Sequence, residues 1–109
     1  MTDHETVQEI VQRLIKVAQP EQIILFGSRA RDEASEGSDV DLLVIESAPF
    51  GPKRSRLSEI GRLESAVGRL SIATDILVYS RREVDRWHDS PRHVIGRALR
   101  EGRVLYARS

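Results

Sequence analysis

The sequence contains no cysteine. That excludes a disulfide frame, a thiolate metal site and a thiol nucleophile. It has no apolar run longer than a few residues, far short of the roughly 20 needed to cross a bilayer. It has no net charge, which argues against strong sequence-independent nucleic-acid binding, since that depends on neutralising phosphates. There is no internal repeat, low-complexity tract or linker. The phosphate-loop pattern G-x-x-x-x-G-K-[ST], the nucleophile elbow G-x-S-x-G and the zinc pattern H-E-x-x-H are all missing. The first residues, M-T-D-H-E-T, are polar and acidic, unlike a secretion signal. These absences leave a soluble cytoplasmic protein without membrane contact. A chain of 109 residues predicts one domain over 1–109 with one modest core.

The charge that is present is unevenly laid out. Residues 1–50 carry ten acids against Arg13, Lys16, Arg29 and Arg31, whereas residues 81–109 carry eight arginines against Glu83, Asp85, Asp89 and Glu101. Such a basic final third suits either an acidic partner or the solvated sides of two short helices.

Hydrophobic spacing predicts alternating helices and strands. Thr2 and Glu5 match a capping box ahead of an apolar stripe at Val7, Ile10, Val11, Leu14, Ile15 and Ala18, and Pro20 ends that helix. Gln22 to Phe26 reads as a strand buried on both faces. Ser28 is a favoured N-cap for a short helix over Arg29 to Glu33, and 35–38 have loop composition. Asp39 to Ile45 predicts a second strand. Leu57, Ile60, Leu63, Val67 and Leu70 form a helical stripe interrupted by Gly61 and Gly68, each costing about 1 kcal/mol relative to alanine. Those glycines either permit close approach to a sheet or fray the helix. Ile72 to Tyr79 predicts a third strand. Ser80 and Glu83 form a capping box for a helix with Val84 and Trp87, and Ser90-Pro91 predicts the start of the next. Gly102 suits a helix C-cap and Arg103 to Tyr106 an edge strand.

Chemistry concentrates between Phe26 and Val44. Asp39 and Asp41 would point the same way, about 6.5 to 7 Å apart at Cα in an extended strand. Two such carboxylates repel unless a cation joins them, and Mg²⁺ commonly takes one or two carboxylates together with substrate phosphates. Alone, the pair fits a solvated strand end or an arginine pair equally well. Asp75 is the one acid in an otherwise apolar strand; if it neighbours Asp39 and Asp41, the three could bridge two ions, and otherwise it needs an arginine. Gly27-Ser28 allows close backbone approach to phosphate at the start of a helix, or is simply a cap. Arg29 and Arg31 could clamp phosphate or face solvent. His4, His88 and His93 have no metal-ligand spacing, and His88 beside Trp87 predicts packing rather than catalysis.

Gly27-Ser28, ten intervening residues, Asp39-Val40-Asp41 and the later Asp75 together match G-S-x(10)-D-x-D at full spacing. This resembles the nucleotidyltransferase superfamily of the DNA polymerase β type. The strings G-S-R-A-R and S-D-V-D-L-L-V, with the ending E-G-R-V-L-Y, look like its minimal nucleotidyltransferases. Many relatives have glycine where this chain has Asp32. The resemblance implies an α/β (α+β) nucleotidyltransferase fold, a small mixed sheet flanked by helices, using ATP and two Mg²⁺ ions. Asp39 and Asp41 would hold both metals. Asp75 would complete one ion site and take the acceptor's proton, with the three acids forming the catalytic set. Gly27 and Ser28 would bind the β- and γ-phosphates, with Arg29 beside them. Minimal nucleotidyltransferases are antitoxin partners of helical ribonuclease toxins of the HEPN type, and several add AMP to a toxin tyrosine. The resemblance thus implies a protein adenylyltransferase working in a hetero-oligomer with its toxin. The alternative is a non-catalytic antitoxin that covers its toxin through Val84, Trp87 and the arginine-rich final third.

Overall fold

A computed structural model describes residues 3–31, 39–70 and 72–108. Helix α1 (Asp3–Ala18) precedes β1 (Gln22–Phe26) and β2 (Val40–Glu46); α2 (Arg56–Val67) leads to β3 (Thr74–Ser80). Helices α3 (Arg81–Trp87) and α4 (Val94–Glu101) precede β4 (Arg103–Ala107). The mixed α/β architecture expected from the sequence is found, with a four-stranded sheet in the order β3-β2-β1-β4. Strand β1 is antiparallel to both β2 and β4, while β2 and β3 are parallel. A parallel pair needs a crossover, and α2 provides it.

Side-chain alternation divides the core into two layers. On one face Ile23, Leu25, Leu42, Val44, Ile76 and Val78 meet Ile10 and Leu14 of α1 and Leu63 and Val67 of α2. On the other, Ile24, Leu43 and Ile45 meet Val84 of α3 and Ile95 and Ala98 of α4. The middle of β1 and nearly all of β2 are therefore buried on both sides, which is why neither run shows polar alternation. Fully burying each such aliphatic chain contributes about 1.5–3 kcal/mol.

Local chemistry sets the helix ends, partly as expected. The Ser80–Glu83 capping box is complete, and the Gly102 N–H closes α4 on Ala98 O. The Thr2 cap lies outside the described residues. Gly68 ends α2 with φ +67°, so its freedom serves a turn. Gly61 has open space around it and permits no close approach. Leu70 lies beyond the helix, partly buried against the core. The third strand begins at Thr74 rather than Ile72.

Two expectations need correction. Ser90 does not cap the fourth helix; His93 does, its Nδ1 accepting from Ile95 N at 3.1 Å. The chain at Ser90 folds tightly over α4, and a Cβ on Gly96 would overlap Ser90 O, so the helix axis starts later. The ring that stacks on Trp87 is that of His93, not of the adjacent His88. His88 faces Asp89 at 3.0 Å, while His93 stacks on Trp87 with centroids 4.8 Å apart.

Candidate active site

The strand directions gather four chain segments at one end of the sheet. Strand β1 ends there at Phe26, paired with Asp41 near the start of β2, and Asp41 is paired with Asp75 near the start of β3. Strand β4 begins there, with Arg103 opposite Leu25. Alternation puts Asp41 on the face of Leu43 and Ile45, and Asp75 on that of Leu77 and Tyr79. Both face the layer of α3 and α4.

Gly27 follows β1 with φ +75°, and a Cβ there would overlap Asp41 Oδ2 and lie 3.2 Å from its Cγ. The positive φ favours glycine, and any side chain there would also have to displace the Asp41 carboxylate. The next residues form two successive tight turns, with Ala30 N–H bonded to Gly27 O and Arg31 N–H to Ser28 O. This differs from the short helix expected from Ser28 onward, whose remainder lies outside the described residues, as does Asp32. The Ser28 hydroxyl has no intramolecular partner among the described residues.

Asp41 is half-buried, and its carboxyl is pushed above the usual range, first by burial and then by the charges of Asp75 and Asp39; Arg31 opposes these. Asp39 and Asp75 are exposed. None of the three forms an ion pair among the described residues, although the chain has many arginines. Three mutually repelling carboxylates are hard oxygen donors whose chemistry fits a divalent cation such as Mg²⁺. As the side chains lie, no group of three acids or histidines among the described residues is arranged to hold an ion.

The Arg29 guanidinium bridges two neighbouring elements. Its Nε donates to Asp39 O and its Nη2 meets Asp3 Oδ2 of α1, both at 3.3 Å. The guanidinium thus ties the turn after β1 to the start of β2. Sequence reading missed this role, and it also missed Arg103, whose Nη2 reaches Arg29 O and Ala30 O at 3.3 and 3.5 Å. The ending E-G-R-V-L-Y was the signal available for the latter.

The sequence profile of the nucleotidyltransferase domain matches residues 4–80. The chain belongs to that family. The matched span contains the Gly27 turn and all three acids, and nucleotidyl transfer is the family's chemistry. Comparison with curated protein sequences gives no match. Among solved structures, a candidate nucleotidyltransferase from Sulfolobus solfataricus is 21% identical, with a TM-score of 0.66 over 95% of this chain and 79% of that one. A chain of a toxin–antitoxin structure determined with AMP-PNP is 18% identical, with a TM-score of 0.55 over 94% of this chain and 73% of that one. Both show that this nucleotidyltransferase domain shares their fold. Among the described residues no helix is long and apolar enough to cross a membrane.

Proposed function

We propose that this protein is a Mg²⁺-dependent adenylyltransferase that moves AMP from ATP to a hydroxyl of a partner protein, as the antitoxin of a toxin–antitoxin pair. The observation that carries the reading is Asp75 in register with Asp41, neither of them in an ion pair among the described residues. A folded protein keeps such repelling acids at a cost, and a cation-dependent reaction gives them a use. The toxin–antitoxin structure with AMP-PNP supports both the nucleotide and the partner. The tyrosine acceptor and the HEPN ribonuclease partner rest on the family resemblance, and the cytoplasmic location on the sequence composition.

In this reading the Ser28 hydroxyl and nearby N–H groups donate to the β- and γ-phosphates, which Gly27 lets approach the backbone. Asp39, Asp41 and Asp75 would hold two Mg²⁺ ions, which supply charge neutralisation at the phosphates and favour the ionised acceptor hydroxyl. Asp75 accepts the acceptor's proton. The acceptor oxygen forms a bond to the α-phosphorus, the bond from that phosphorus to the bridging oxygen breaks, and pyrophosphate leaves. Arg29 positions Asp39 through its carbonyl. Positioning and charge neutralisation supply most of the catalysis in such transfers.

The test incubates the protein with MgCl₂, ATP and the product of the adjacent gene, then weighs that product. A gain of one or more AMP masses, lost in Asp39→Asn and Asp41→Asn, is expected. Full neutralisation of the partner by those variants, with no mass gain by wild type, would instead establish the covering antitoxin.

A further inference from the structure

The matched family region stops at residue 80, yet the last strand reaches back to the nucleotide end of the sheet. The junction of α4 and β4 is seated on β1. A Cβ on Gly102 would overlap Ala98 O and lie 2.6 Å from Ile24 Cγ2 and 2.8 Å from Leu25 O. No other residue type fits there without moving either the helix end or the strand. The contact falls two residues before Gly27, so Arg103 starts β4 beside the turn. Its guanidinium then donates toward Arg29 O and Ala30 O. The side chain of Arg29 in turn donates to Asp39 O.

We infer that Arg103 is a positioning residue of the nucleotide site, holding the carbonyl edge of the Gly27–Ala30 turn so that its donors are set for triphosphate. A peptide turn has two edges: carbonyls on one side repel phosphate, and N–H groups on the other attract it. A guanidinium on the carbonyl edge fixes the turn's orientation and offsets the carbonyl dipoles. Through Arg29, the constraint extends to Asp39. The C-terminal strand thereby becomes part of the nucleotide site. Arg108, at the far end of the same strand, bonds instead to Gln19 O and Ser47 Oγ and has no such role.

This inference rests on the nucleotidyltransferase reading, and one titration separates the two. Calorimetry with MgATP on the purified protein compares wild type, Arg103→Ala, Arg103→Lys and Arg108→Ala, with each variant's melting temperature recorded. The loss of charge-assisted hydrogen bonds at an exposed site predicts that Arg103→Ala binds about 5- to 10-fold more weakly. Arg103→Lys recovers part of that affinity, and Arg108→Ala binds like wild type. A merely structural Arg103 would lower the melting temperature and leave the dissociation constant unchanged, which overturns the inference. Equal weakening by Arg108→Ala overturns it too. Failure of wild type to bind MgATP removes the nucleotide reading itself, and this inference with it. Should Arg103→Ala not fold, Arg103→Gln and Arg103→Lys give the same comparison.

Discussion

Gly27 and Asp41 are packed so that a single methyl group on the glycine would overlap the carboxylate oxygen of the aspartate. The turn proposed to receive phosphate and an acid proposed to hold metal are therefore one unit. A side chain at residue 27 would have to displace the Asp41 carboxylate, so two segments that are separate in sequence share one local geometry.

Gly27→Ala tests that unit. Its φ of +75° costs an alanine about 1–2 kcal/mol, and the new methyl must push Asp41 aside. We expect at least a roughly 100-fold fall in kcat/KM, the scale set by misplacing reacting groups by about 1 Å. Urea unfolding should register a smaller loss of stability. Near-normal activity in a folded Gly27→Ala would break the link between turn and acid.

Asp41→Asn should separate function from stability. Burial and the neighbouring acids hold the Asp41 carboxyl above its usual range, so its ionised form destabilises the fold at neutral pH. Removing the charge is expected to raise the melting temperature by a few degrees while abolishing transfer. A lower melting temperature would mean that the carboxylate has a stabilising partner.

Ser28→Ala should act on nucleotide binding alone. The hydroxyl has no intramolecular partner among the described residues, so thermal stability should not change. Loss of one hydrogen bond to a charged phosphate predicts about a 10-fold or greater rise in KM for ATP. A drop in stability with unchanged KM would make Ser28 a structural cap.

Away from the site, Glu46 and Glu59 predict a pH dependence. Burial and the adjacent Glu59 carboxyl push Glu46 up to about 7 despite the Arg54 ion pair. The hydrogen bond from Arg62 is the main reason that Glu59 falls to about 2, with the Glu46 hydrogen bond and Arg54 adding to it. The two carboxyls share one proton near neutrality. Glu46, raised in the fold, contributes stability that is complete below its unfolded value of 4.5 and is lost as pH rises through about 7. Glu59, lowered in the fold, contributes stability present above 4.5 and lost as pH falls through about 2. The melting temperature of wild type should therefore decline between about pH 5 and 8, and Glu46→Gln should flatten that decline. An unchanged slope in Glu46→Gln would place the titration elsewhere.

What the sequence made legible followed from short-range rules. Strand β2 was readable because Val40 to Ile45 is apolar on both faces, and the period of two placed Asp41 with Leu43 before any fold was known. The Ser80–Glu83 box and the Gly102 cap were local hydrogen-bonding patterns. The Asp41–Asp75 pairing was inferable only as a condition, since register depends on how α2 carries the chain between strands. Other features were hidden because distant groups decide them. Gly96 passes under Ser90 and moves the helix start to His93; Trp87 takes His93 rather than its neighbour His88. The contacts of Arg29 with Asp3 and with the Asp39 carbonyl join segments that no local pattern relates. Arg103 is 74 residues from Arg29, and no local pattern joins them.

The most direct test of nucleotidyl transfer at Asp39, Asp41 and Asp75 uses ATP labelled at either the α- or the γ-phosphate, with MgCl₂ and the product of the adjacent gene. The account predicts that the product carries the α label and never the γ label, with pyrophosphate released in equal amount. The α label should be lost in Asp41→Asn and Asp75→Asn. Transfer of the γ label, or α-labelling that persists in both variants, would contradict it.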